Sequence, residues 1–275
     1  MNIFSLTQRW SPVAALDEDG EPERPHFQVI INELSGQRVA ANISSLRFSA
    51  QRLVLWAAAH LPETEAELWV EKAELLAPFT RAFPEFQVKL DPAARHLNNY
   101  FRQLEEQCRE FQTADDYSLV EMFGERLALR FYQAAWGYLE KDLYAIPEAG
   151  RLEYRDPFGR RYTLEFSGEG EPGFMLCDPE GNLCLGVSFD TPAFVAAADL
   201  EMLDRQRLDF GSSFYPWILF STLPGGLTRP WLEALIWLFE SIPVFAEVGG
   251  LCVCGPDRAS LDWYRADRTG LAEAG

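Results

Sequence analysis

Residues 174–189 read FMLCDPEGNLCLGVSF, and the fold turns on how they are taken. Two apolar runs, Phe174 to Cys177 and Leu183 to Phe189, flank Asp178-Pro179-Glu180-Gly181-Asn182. Proline pre-sets one turn dihedral, glycine accepts a positive one, and Asp and Asn side chains bond their own backbone, so the run reads as a tight hairpin. Just upstream, Arg151 to Arg155 and Arg161 to Phe166 flank Asp156-Pro157-Phe158-Gly159 in the same way. Two successive hairpins are therefore expected. Downstream, Thr191-Pro192 opens a helix to about Leu208, and Ser213 to Ser221 reads as a strand. Leu223-Pro224-Gly225-Gly226 then leads to a helix capped by Thr228, with Pro230 in its first turn, and a last strand is expected over Glu247 to Cys254. Hairpins followed by strand–helix alternation make an α+β part over 151–275.

Upstream of Pro147-Glu148-Ala149-Gly150, the best boundary by composition, the period lengthens. Leu97, Phe101, Leu104, Cys108 and Phe111 recur at helical spacing after Asp91-Pro92. Val120, Phe123, Leu127, Phe131, Ala134 and Tyr138 do so in a helix expected to be capped by Asp115 or Asp116. Ser49 reads as the cap of an apolar helix over Ala50 to Leu61, and Glu63 to Ala77 as a second helix stopped by Pro78. Phe27 to Leu34 and Arg38 to Phe48 form a strand pair across Ser35-Gly36-Gln37. Residues 1–25, ending in DEDGEPERP, read as a mobile leader. The expected fold class is α+β. A helix-rich N-terminal part with one strand pair (26–147) precedes a mainly antiparallel sheet with packed helices.

Charge narrows the function. Lys and Arg number 24 against 42 Asp and Glu, a net charge of −18 at pH 7. It is evenly spread, with 14 basic and 23 acidic residues in 1–150 and 10 and 19 in 151–275, or −9 in each. Phosphate neutralisation needs clustered cations, so neither nucleic acid nor an anionic membrane surface is an expected partner. A basic protein is. No apolar run has the length of a signal peptide or a spanning helix, and five cysteines suit a reducing compartment, so the expected location is the cytoplasm.

Chemistry-bearing motifs are sparse. Gly168, Gly170 and Gly173 match the dinucleotide fingerprint in spacing, but Pro172 lies inside it, a strand follows, and Glu169 and Glu171 would repel a pyrophosphate; a hairpin loop is the better reading. His26, His60 and His96 form no ligand pair, and no catalytic or cofactor-binding residues are assigned. Cys252 and Cys254 share a strand face, and Cys177 and Cys184 flank a turn where they could lie opposite each other. Four such sulfurs could bind zinc if the strand pairs met; core packing of thiols is the competing reading. Trp217, Trp231, Trp237 and Phe239 read as core, with an exposed aromatic patch for a partner as the alternative.

One segment resembles a known family. Ser213 to Phe220 with Leu223-Pro224, the helix Trp231 to Phe239, Ile242-Pro243 and Gly249-Gly250-Leu251 follow the order of the C-terminal half of a bacterial family of type VI secretion immunity proteins. The likeness spans residues 213–254. It implies a small α+β protein, without catalysis or cofactor, that binds and silences a cognate toxin, and an acidic inhibitor suits a basic one. Two other roles stand beside it, a secretion adaptor or chaperone for an effector and an enzyme of unknown type. Asp and Glu of the second part are the expected contacts.

Overall fold

The computed structural model describes residues 2–62, 64–108, 117–141, 152–155, 161–166, 172–211, 214–220, 226–247 and 260–262. Among them are seven α-helices and three sheets of mostly antiparallel strands, and the chain divides into two compact units, Met1–Asp116 and Tyr117–Gly275. The boundary expected at Pro147–Gly150 falls on residues outside that description, within the second unit.

Unit 1 is rich in strands, which corrects the expectation of a helical N-terminal part. Its order is β1 (Asn2–Trp10), β2 (Ala15–Leu16), β3 (Pro22–Glu23), β4 (His26–Asn32), β5 (Arg38–Ser44), α1 (Ala50–Ala58), β6 (Ala66–Val70), α2 (Ala73–Ala82), β7 (Phe86–Leu90) and α3 (Arg95–Cys108). The main sheet runs β5-β4-β1-β6-β7, with β1, β6 and β7 parallel and β4 antiparallel to β1. Residues 1–25 are therefore no loose leader, because β1 is the middle strand and β2 and β3 pair in a small ribbon. The strand hides in the sequence because both its faces are covered. Phe4 and Leu6 join Ile30, Leu68 and Val70 under α1 and α2, while Val29 and Ile31 pack with Leu97 and Phe101 of α3. Ser5, Thr7 and Gln8 are buried too, at a cost unless they are hydrogen-bonded. Ser5 Oγ donates to Glu33 (2.6 Å), Thr7 Oγ1 to Glu71, and Gln8 Oε1 accepts from Phe48 N (2.8 Å) and Gln28 Nε2 (3.0 Å).

The helix expected over Glu63–Ala77 is two elements. Ala66, Leu68 and Val70 are buried at period two in β6, and α2 begins only at Ala73. Pro78 lies inside α2, where its missing N–H leaves only the Glu74 carbonyl without an intrahelical donor, in the exposed first turn. Helix α1 is capped by Ser49 Oγ, which accepts from Arg52 N, but it buries only the Leu53/Ala57 stripe and leaves Leu55 exposed. Helix α3 begins on a carboxylate from a distant loop, as Glu33 accepts from His96 N (2.9 Å) and Leu97 N (3.0 Å).

Unit 2 contains α4 (Leu119–Phe123), α5 (Glu125–Leu139), β8 (Leu152–Arg155), β9 (Arg161–Phe166), β10 (Gly173–Cys177), β11 (Leu183–Asp190), a 3₁₀ turn at Pro192–Phe194, α6 (Ala197–Gln206), β12 (Tyr215–Phe220), α7 (Arg229–Glu247) and β13 (Ser260–Asp262). Both hairpins are present, and they join into an antiparallel meander, β12-β11-β10-β9-β8, to which β13 adds in parallel. Asp178 builds the turn, since its carboxylate accepts from Glu180 N and Asn182 N. Ser118 caps α4 in place of the expected Asp115 or Asp116, which lie outside the described residues, and Gly124 at φ 84° separates α4 from α5. Helix α7 continues through Pro243 to Glu247, so that residue is helical; 248–254, the rest of the expected last strand, are not described. Phe239 of α7 is the hub of the core, with ring centroids 5.2 Å from Phe174, 5.3 Å from Tyr138 and 5.7 Å from Phe131.

Candidate functional site

Cys177 and Cys184 do not lie directly opposite each other across the turn. A β-bulge shifts the β10–β11 register so that Cys177 faces Leu183, and Cys184 Sγ donates instead to the Asn182 carbonyl. Both thiols are buried, while Cys252 and Cys254 lie outside the described residues. Among the described residues, no three His, Cys, Asp or Glu side chains are grouped to hold a metal. Gly173 opens β10; Gly168 and Gly170 are not described. His26 is buried on β4 with its ring 3.9 Å from Trp10, His60 follows α1, and His96 sits in the first turn of α3. Trp217 is half-buried, stacked on Phe194 at 5.0 Å.

Sequence reasoning missed the most heavily bonded carboxylate. Asp199, in the first turn of α6, is 1% exposed. One of its oxygens accepts from Ser118 Oγ (2.6 Å) and Val120 N (3.0 Å), the other from Leu119 N (3.0 Å) and Tyr132 Oη (2.8 Å). Burial pushes its pKa up, against the pull of those donors, and the burial and the Asp199 charge push the Tyr132 phenol well above its ordinary value. A carboxylate at the N-terminus of a helix also meets the positive end of the dipole. Every lone-pair direction is used, and unit 2 contains no histidine to relay a proton. The arrangement ties α4, α5 and α6 together. Nothing in 115–120 or 197–206 read alone would signal this, because the partners are about eighty residues apart.

A more open groove of unit 2 lies at the end of α5. With a volume of about 470 Å³, it is lined by Trp136, Leu139 and Glu140 at the C-terminal end of α5 and by Asp209, Phe210, Gly211 and Phe214 from the segment between α6 and β12. That volume falls within the range of ligand pockets, roughly 300–1,000 Å³. Phe210 is buried and fixed edge-on to Trp136, with centroids 5.3 Å apart, while Phe214 is 41% exposed. Asp209 shapes the turn by accepting from Gly211 N at 2.8 Å. Glu140 is exposed at the C-cap of α5, where unsatisfied carbonyls already carry partial negative charge. Among the described residues, none that lines the groove is basic. The groove is thus apolar at its walls and anionic at its rim. No known protein-family profile matches the chain, and no curated protein matches it. Among the described residues, no helix is long and apolar enough to cross a membrane.

Proposed function

We propose that the chain is a non-catalytic binding protein that takes a basic protein partner, acting as an immunity protein or inhibitor of a toxin or effector. The observation that carries this reading is the groove of unit 2, with aromatic walls, two rim carboxylates and no cation among its described lining residues. A net charge of −18 adds a long-range attraction that speeds encounter with a basic partner. The buried Asp199 cluster fits the same role, because its lone pairs are spent on holding helices and offer nothing to a substrate. The resemblance of residues 213–254 to type VI immunity proteins supplies the toxin as the partner's class and the cytoplasm as the place of action.

The test is capture. The immobilised chain is offered a lysate of its source cells at low and at high salt. Retention of a basic protein at low salt, whose growth arrest is lifted by co-expressing this chain, supports the proposal. A captured effector that keeps its full activity would make the chain an adaptor. Recovery of small molecules and no protein would refute both binding roles.

A further inference from the structure

We infer that the Trp136–Phe210–Phe214 groove is a cation-accepting cage that anchors one arginine side chain of the partner. The inference rests on the binding role proposed above and gives it a chemical address. Three features converge on a cation. Trp136 and Phe214 leave ring surface exposed in the groove, and indole is the strongest of the aromatic faces for a cation lying over it. Glu140 and Asp209 supply two formal negative charges at the rim. The C-terminus of α5 adds the negative end of a helix dipole beside Glu140, where a cation is the favoured neighbour and a carboxylate the disfavoured one. In the unbound protein Glu140 and those carbonyls repel each other; an incoming cation relieves both at once.

Arginine suits the groove better than lysine. Its planar guanidinium stacks on aromatic rings, is more weakly hydrated than an ammonium, and can donate to two carboxylates from one fork. The apolar walls would cover its methylene stem. Glu140 is the more adjustable carboxylate, being exposed with no side-chain hydrogen bond among the described residues, whereas Asp209 also supports the Gly211 turn. Glu140 is therefore the residue to change.

The full chain, labelled with ¹⁵N, is titrated with acetyl-Ala-Arg-Ala-amide and with its lysine and citrulline counterparts. The Trp136 indole signal is assigned through Trp136→Phe. The expected result is a saturable shift centred on the Trp136 indole and the Gly211 amide, weaker for lysine and absent for citrulline. Glu140→Gln should weaken arginine binding about threefold and Glu140→Lys about tenfold, with the wild-type fold kept because the side chain is exposed. Shifts spread over the acidic surface, equal shifts from citrulline, or binding unchanged by Glu140→Lys would each overturn the cage. Capture of a basic partner that is insensitive to Glu140→Lys would refute the cage and leave the binding role standing. Arginine binding with no captured protein would do the reverse.

Discussion

Replacing Asp199 with alanine strands four donors at once. Ser118 Oγ and Tyr132 Oη lose a buried acceptor, and Leu119 N and Val120 N lose the carboxylate that satisfies the start of α4. A hydrogen bond to a charged group contributes about 1.5–3 kcal/mol, but four sharing one carboxylate do not add, and water entering the gap recovers part. The expected loss is about 3–5 kcal/mol, the scale of breaking a buried ionic network. Asp199→Asn should cost less, about 2–3 kcal/mol, because one oxygen still accepts two bonds while the amide nitrogen points its hydrogens at Leu119 N–H or Val120 N–H. Urea unfolding of the full chain, followed by tryptophan fluorescence, gives both values. The pH dependence supplies a second reading. The folded carboxyl titrates above its ordinary value of 3.8 because of burial. Folding therefore takes up a proton in the window between the two values, and this group's contribution declines as pH rises through it. The asparagine variant lacks that slope. An alanine variant within about 1 kcal/mol of wild type would refute the reasoning, since surface changes lie in that range.

Three further outcomes are expected. His26 is held down from 6.5 to about 3 by burial first and by Arg47 and Lys72 second, so it folds neutral. Its contribution is complete above pH 6.5 and lost as pH falls toward 3, at up to about 1.4 kcal/mol per pH unit, and His26→Gln should flatten that limb of a stability–pH profile. Glu33→Ala removes the acceptor of His96 N, Leu97 N and Ser5 Oγ; a loss of about 1–2 kcal/mol is expected, with faster amide exchange confined to the first turn of α3. Gly36→Ala combines a φ of +70° with a Cβ 2.8 Å from His96 Nδ1, so thermal unfolding should show about 1–2 kcal/mol of destabilisation, eased by His96→Ala.

The parts of the fold legible in the sequence are those set by neighbours along the chain. The Asp178 turn and the Ser49 cap are contacts within four residues, so residue types announce them. Strand β6 was hidden because glutamates around a five-residue strand imitate a helix start, although Ala66, Leu68 and Val70 do alternate. Strand β1 was hidden because Ser5, Thr7 and Gln8 read as solvent-facing, and only partners 20 to 64 positions away make their burial tolerable. The groove was not legible: net acidity pointed to a basic partner without placing a surface, and the aromatics singled out, Trp217, Trp231, Trp237 and Phe239, read first as core, while the groove is lined by Trp136. Helical spacing had placed the core face of α5 through Phe131 and Tyr138, which are buried, and Trp136 lies off that face.

The place of β1 in its sheet also fixes an order of events. It lies between β4 and β6, and its parallel register pairs Asn2 with Ala66 and Leu6 with Val70. As the chain leaves the ribosome, β1 is made first and can pair early only with β4. Its other edge stays open until residue 70 emerges, with Phe4 and Leu6 awaiting the helices that cover them. Closing such a parallel contact requires a long loop to be ordered before any reward arrives, which slows folding. For that interval the nascent chain presents an unpaired strand edge, the kind of surface that captures a second chain. Slow synthesis between residues 33 and 66 would prolong the interval, and crowded expression would favour aggregation during it.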